Sequence, residues 1–297
     1  MRLSRALVKT FLPLRPQTAN KGSFGRVLVV AGSEKMSGAA VLCCRSALKS
    51  GAGLVALALP QSRQCVAAAA LPEMLTCPLP EQDGLLAACA VPVLRQFVAQ
   101  FRPSVVLVGP GLGAAPFILP FLKENHLPAV LDADALNVLA QQPNWPQVLG
   151  RRFPVICTPH PGEMQRLLQA PVSDDEKTRQ GYAVQLSRQT GGVSVLKGHH
   201  TVITDGKTVY INPTGGPALA KAGSGDTLAG LIAGLWAQLG TAGKFDTQSA
   251  LRAAACGVYL HGLCGDLAAK KLTDRCVLAG EVADLLPTAF KKVCSAR

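Results

Sequence analysis

The sequence predicts an α/β fold: a mostly parallel central sheet covered by helices on both faces, with a small antiparallel hairpin at one edge. Three observations carry that expectation. Uninterrupted apolar, β-branched runs alternate with helical patterns over most of the chain, and strands buried on both faces are how parallel sheets read. Several of these runs open directly into glycine-rich or polar loops, and in open α/β sheets ligands gather at the carboxyl ends of the strands. The pattern changes once, at "HTVIT-DG-KTVYI" (His200 to Ile211). Two short strands around Asp205-Gly206 are a two-residue hairpin signal.

Taken in order, "RVLVVAG" (Arg26 to Gly32) reads as the first strand and "SGAAVLCCRSALKSGAG" as the helix that follows it. "LVALALP" (Leu54 to Pro60) is the next strand. The alternation continues through "SVVLVGPGLG" (Ser104 to Gly113), "AVLDADALNVLA" (Ala129 to Ala140) and "PVICTPHPGEMQRLL" (Pro154 to Leu168). "VSVL" feeds the polar stretch "KGHHT" just before the hairpin. After the hairpin comes "TGGPALAKAGSGDTLAG" (Thr214 to Gly230), and then mostly helix, including "ALRAAACGVYLHGLCGDLAAKK". With no repeat, low-complexity linker or clear boundary, residues 21–297 read as one domain behind a short N-terminal extension, residues 1–20.

Composition narrows the classes of partner. The chain has 297 residues, of which 48% are hydrophobic and 16% charged, which describes a compact core and argues against disorder. Thirty Lys+Arg against 18 Asp+Glu give a net charge of +12, which favours anionic partners. The basic residues are scattered and interleaved with few aromatics, so phosphorylated small molecules fit better than a nucleic acid. Ten cysteines form no C-x-x-C and no zinc spacing, and are expected to be buried free thiols in a reducing cytoplasm. The opening "MRLSRALVKTFLPLRP" is broken by Lys9 and reads as neither a signal peptide nor a membrane span.

The chemistry is expected in the loops. Glycines crowd around one acid, Asp226, ahead of an apolar helical run, and a glycine-rich loop feeding a helix N-terminus offers backbone N–H groups to an anion. An acid there would repel a phosphate. An N-cap would explain an isolated Asp. The clustered glycines favour a general base that takes a proton from a hydroxyl attacking a phosphate, with the N–H groups of Gly223 to Thr227 stabilising the transferring group. In "HPGE", Pro161 suits the first helical position and Glu163 can reach back to free N–H groups, which leaves His160 as a ligand contact. Glu163 is also a candidate for holding Mg²⁺ through water. Lys197 follows a strand, where it could meet a phosphate or ribose. Asp132 and Asp134 invite a two-carboxylate mechanism, but Asp134 before "ALNVLA" reads as an N-cap. Neither "GPGLG" nor any other segment has dinucleotide-fingerprint or P-loop spacing.

The ordered set "KGSFGRVLVVAGS", "SGAAVL", "GAGLV", "GPGLG", "LDADALN", "TPHPGEMQRLL", "LKGHHTVI", "INPTGG", "AKAGSGDTLAG" and "GVYLHG" resembles the ADP/ATP-dependent NAD(P)H-hydrate dehydratases of the ribokinase-like superfamily. The likeness runs from about Lys21 to Leu286. It implies a Rossmann-like αβα sandwich, a homotetramer, and repair of hydrated NADH and NADPH by a carbon–oxygen lyase that works beside a separate epimerase. It places hydrated-dinucleotide contacts at Ala39, Gly111, Gly113, His160 and Asp226. Nucleotide contacts fall at Lys197, Gly198, His199, His200, Thr201, Gly223, Ser224 and Gly225. ADP with Mg²⁺ is the implied phosphoryl donor, with ATP the alternative. Where relatives carry a form such as "ATGGTGD", this chain has "AKAGSGD", so Lys221 either adds charge near the phosphates or lies in solvent. The runner-up is a small-molecule kinase of the same superfamily using the same Asp226. A catalytically silent dinucleotide-binding protein is the third reading.

Overall fold

The computed structural model describes residues 1–149, 153–172 and 175–295. The strands are β1 (Arg26–Val30), β2 (Leu54–Pro60), β3 (Leu75–Leu79), β4 (Glu81–Gln82), β5 (Leu85–Leu86), β6 (Val105–Val108), β7 (Ala129–Leu131), β8 (Val155–Cys157), β9 (Val193–Leu196), β10 (Val202–Thr204) and β11 (Val209–Ile211). Nine of them form one sheet in the order β11-β10-β9-β8-β7-β6-β1-β2-β3, while β4 and β5 make a separate two-stranded ribbon. From β9 across to β3 every pairing is parallel. β10 is antiparallel to both β9 and β11. The fold is therefore an αβα sandwich with its antiparallel element at one edge.

Alternation of side chains along each strand builds the two layers. Val27 and Val29 of β1 join one buried apolar cluster, Leu28 and Val30 the other. The chain runs from β1 outward to β3 and then returns to place β6 on the other side of β1. This reversal between β1 and β6 is the topological switch point, where such sheets open a crevice beyond the carboxyl ends of the strands. The two loops that border it are tied together, Gly32 N donating to Pro110 O at 2.8 Å and Gly109 N to Val30 O at 3.2 Å.

One layer is organised by the contact between helices Ser37–Lys49 and Ser224–Ala242. A Cβ added at Gly230 would overlap the Cys43 carbonyl and Ser46 Oγ, and one at Gly234 would overlap Ser50 Oγ. The two backbones approach so closely only because these positions carry no side chain. The same contact brings the first turns of both helices to one end of the sheet.

Two expectations are corrected. The hairpin loop has four residues, with Thr204 paired to Val209, because Asp205 Oδ1 accepts from Lys207 N at 3.0 Å and Thr208 N at 2.7 Å and closes a wider turn. Within the N-terminal extension Leu3 and Val8 are buried, and Leu3 N donates to Ile211 O at 2.9 Å, extending the sheet edge. Of the ten cysteines, all free, Cys65, Cys89, Cys276 and Cys294 are exposed rather than buried. Among the described residues no helix is long and apolar enough to cross a membrane.

The close helix contact has a measurable consequence. Gly230→Ala is expected to destabilise by about 1–3 kcal/mol through overpacking, whereas Gly181→Ala, in a helix with nothing within 4 Å of the added methyl, should stabilise by about 0.5–1 kcal/mol. Thermal or denaturant unfolding of the two variants checks the pair.

Candidate active site

The glycine-rich loop delivers its acid on a helix that begins at Ser224, one residue after Gly223. Gly223 adopts φ 85°, a left-handed turn that L side chains rarely take, and a Cβ there would press on Leu42 and Ala279. Asp226 is thus the third residue of the helix, not its N-cap, and no side chain caps this end. The first i→i−4 bond runs from Thr227 N to Gly223 O, so the amides of Gly225 and Asp226 belong to the unsatisfied first turn. The Asp226 carboxylate, half-buried, makes no cap and stays available. Burial, chiefly, then the nearby charges of Asp132 and Asp134 raise its pKa to about 6, against the opposing pull of Lys197.

Lys197 is the cation at the centre. It leaves the end of β9 and reaches Asp132 Oδ1 at 2.6 Å and Glu163 Oε2 at 3.7 Å. Its ammonium lies 3.5 Å from the point where a Gly225 Cβ would sit, beside the first turn of the Asp226 helix. Asp132, 1% exposed, also accepts from Thr158 Oγ1 at 2.7 Å. It is a buried counter-ion rather than a reacting acid. The expected N-cap role of Asp134 is also corrected: it is the first residue of its helix, after Ala133 at φ 49°. Its Oδ2 accepts from Gly113 N at 2.7 Å and so fixes the neighbouring loop instead.

His160 carries the local structure of "HPGE" as well. It is the N-cap of helix Pro161–Leu168: its Nδ1 accepts from Gly162 N at 3.0 Å and Glu163 N at 3.3 Å, while Glu163 Oε2 accepts from His160 N at 2.8 Å. Two amides donating to Nδ1 put the neutral ring's proton on Nε2, which faces Glu163 Oε1 at 3.3 Å. Both oxygens of Glu163 are therefore engaged.

A cavity of about 700 Å³ opens beside Lys197, and Lys197, Gly198, His199, His200, Thr201, Ser224 and Gly225 all line it, with His160 at its border. Gly223 stands just behind, as the cap of the helix that forms one wall. Ala39 and Gly111 meet elsewhere: a Cβ on Gly111 would lie 3.0 Å from that of Ala39. Gly113 is close by through Asp134. The predicted residues therefore form two groups, one around the cavity and one at the switch point, and Asp226 sits on the helix turn between Lys197 and helix Ser37–Lys49, its carbonyl accepting from Cys43 Sγ at 3.3 Å.

Comparison with known proteins then decides the family. The family model described as NAD(P)H-hydrate dehydratase matches residues 27–288. The chain belongs to that family. The bifunctional NAD(P)H-hydrate repair enzyme of Moorella thermoacetica is 41% identical over 98% of this chain and 54% of its own length, so the chain spans about half of such relatives. The ADP-dependent (S)-NAD(P)H-hydrate dehydratase of Bacillus subtilis is 34% identical over 96% of each chain. A crystal structure of the ADP/ATP-dependent NAD(P)H-hydrate dehydratase from that organism, co-crystallised with ATP/Mg²⁺, superposes with TM-score 0.77 and 29% identity over 98% of each chain. A ribokinase-like superfamily protein of Enterococcus faecalis superposes with TM-score 0.78 and 29% identity, covering 98% of this chain and 95% of its own.

Two residues of this NAD(P)H-hydrate dehydratase family member escaped the sequence reading. Arg179, the fourth residue of helix Glu176–Thr190 and 6% exposed, donates to the carbonyls of His199 (2.5 Å), Lys197 (3.1 Å) and Leu196 (3.3 Å) and so shapes the Lys197–Thr201 loop. His261 lies 3.3 Å from Ser224 Oγ, and burial pushes its pKa down to about 4, which keeps it neutral at physiological pH. Only "GVYLHG" within the ordered motif set pointed at His261, and nothing local marked Arg179. Lys221 lines the cavity with its ammonium donating to Arg275 O at 2.6 Å.

The raised Asp226 pKa sets a stability test. An acid whose folded pKa of about 6 exceeds its reference value of 3.8 binds its proton more tightly in the folded state, so its contribution falls as pH rises from about 4 to 6. Asp226→Asn is expected to melt a few degrees above the parent at pH 7, with the two melting curves converging by pH 4. Calorimetry across that range checks it.

Proposed function

We propose that the chain dehydrates the S epimer of hydrated NADH and NADPH to NADH and NADPH, coupled to conversion of ADP to AMP and phosphate. The observation that carries this reading is the Asp226 carboxylate, uncommitted to capping, at the N-terminus of a glycine-rich helix between a nucleotide-sized cavity and the glycine loops of the switch point. ADP occupies the cavity, its terminal phosphate against the first-turn amides of Gly225 and Asp226 and the Lys197 ammonium. The dinucleotide lies along Ala39, Gly111, Gly113 and His160. The names of the Bacillus subtilis relative support ADP as donor and its ATP/Mg²⁺ co-crystal leaves ATP as the alternative.

Asp226, with its pKa near 6, is ionised at neutral pH and basic enough to accept the proton of the ring hydroxyl as that oxygen attacks phosphorus. AMP leaves and a ring phosphate ester remains. The ring C–O bond then breaks, phosphate departs with its electron pair, and a proton lost from the neighbouring carbon restores the dihydronicotinamide. Lys197, held by Asp132, stays charged throughout, because its pKa is raised by the carboxylates around it despite burial.

Carboxylate oxygens suit Mg²⁺, a hard cation that keeps several waters and takes few protein ligands. Among the described residues no three His, Cys, Asp or Glu side chains converge on a metal. The cation would therefore come with the nucleotide phosphates, and Glu163, both oxygens engaged, would reach it through water. When bound it neutralises phosphate charge. A cytoplasmic homotetramer working beside a separate epimerase belongs to the same proposal, and light scattering checks the assembly.

Absorbance at 340 nm tests the activity. Purified protein with hydrated NADH and Mg²⁺ is expected to show a rise that requires ADP or ATP, and Asp226→Asn to bind nucleotide while losing turnover by about 10²–10⁴-fold. No rise with either nucleotide, beside an active control enzyme, would point to the kinase reading. Near-parental turnover in Asp226→Asn would remove the base from the mechanism.

A further inference from the structure

A second concave region, of about 560 Å³, lies between helices Asp134–Ala140 and Pro161–Leu168, lined by Asn137, Gln141, Gln165, Arg166 and Gln169 among others. Polar side chains stand among its lining, and it is joined to the switch-point loops by an unbroken series of contacts. Gly113 N donates to Asp134 Oδ2 at 2.7 Å, Asn137 Nδ2 to Asp134 Oδ1 at 3.4 Å, and Arg166 Nη1 to Asn137 Oδ1 at 2.6 Å. Arg166 Nη2 also borders the space beside Gly162 that His160 closes from the other side, at 3.8 Å and 2.9 Å from the position of an added Cβ. Arg166 thus links Gly113 to His160 along one rim.

The charge of Arg166 has no structural use in sight. Among the described residues it forms no ion pair with a carboxylate; its one recorded side-chain partner is a neutral amide, which holds the guanidinium plane and leaves its remaining donors for an anion. A planar fork of donors matches phosphate oxygens. The nucleotide cavity lies on the Lys197 side of His160 and is filled by ADP in the reading above. A dinucleotide whose reacting ring sits between Gly113 and His160 must continue somewhere else.

Resting on that reading of the substrate, we propose that the groove receives the distal, adenosine-bearing part of the hydrated dinucleotide and that Arg166 binds one of its phosphates. Two phosphates qualify. Contact with the pyrophosphate would serve hydrated NADH and NADPH alike; contact with the 2′-phosphate would make Arg166 the residue that favours hydrated NADPH.

The test compares Arg166→Gln and Gln165→Trp with the parent. Gln165→Trp leaves the cation in place and fills an exposed wall of the groove. Initial rates are measured with hydrated NADH and hydrated NADPH at saturating ADP, and binding of intact NADH and NADPH, the products, is titrated without nucleotide. Loss of a charge-assisted contact raises Kd and KM by about 10-fold or more, falling on KM rather than kcat and sparing the KM for ADP. Weakening of both dinucleotides by Arg166→Gln identifies the pyrophosphate, and weakening of NADPH and its hydrate alone identifies the 2′-phosphate. Dinucleotide binding that is unchanged in both variants, an equal rise in the KM for ADP, or a parent that binds no dinucleotide would overturn the proposal. A parent that binds NADPH through Arg166 yet turns nothing over would uphold the groove and refute the dehydratase reading.

Discussion

A single ammonium among carboxylates holds the site together. Lys197 is paired at 2.6 Å with Asp132, which is almost fully buried, and lies near Glu163 and the Asp226 helix. Removing one member of a buried pair leaves an uncompensated charge, which costs about 3–5 kcal/mol. The pair also spans the sheet, since Asp132 follows β7 and Lys197 follows β9, with Thr158 after β8 donating to the same carboxylate. Three adjacent strand ends are thereby fixed in one register, and the acid opposite them is left with more negative charge around it than the lysine cancels. Burial above all, with that imbalance added, is why Asp226 holds its proton up to a pKa of about 6.

The second constraint is steric. Asp226 meets the switch-point loops because Gly230 and Gly234 let its helix sink onto helix Ser37–Lys49. A side chain at either position would push the helices apart and carry Asp226 away from Ala39 and Gly111. The glycines before the acid shape the turn that carries it, and those after it set where that turn sits.

Much of this was legible in the sequence. The buried strands announce themselves as continuous apolar runs, and the glycine-rich turn before Asp226 marks the site whatever the surrounding fold. What escaped depends on distance along the chain or on atypical capping. Asp132 in "DAD" looks like one of a pair of reacting acids, because its partner Lys197 lies 65 residues away. Asp134 reads as a cap because Asp commonly caps, yet a backbone amide from another loop claims it. His160 was the reverse case, a residue type seldom counted among caps that performs the cap through Nδ1. Arg179 resembles any helical arginine until the loop carbonyls it serves fold over it. Asp205-Gly206 signals a two-residue loop, but the Asp205 side chain, rather than a tight backbone turn, closes a loop of four.

These features meet in one claim, that Asp226 directs the ring hydroxyl at phosphorus and that the hydroxyl oxygen leaves as phosphate. The most direct measurement follows that atom. Hydrated NADH labelled with ¹⁸O in the ring hydroxyl is turned over with unlabelled ADP, and the inorganic phosphate is examined by mass spectrometry. The account predicts one ¹⁸O in each phosphate released. Unlabelled phosphate, with the label recovered in water, would mean that dehydration and nucleotide hydrolysis proceed separately and would contradict it.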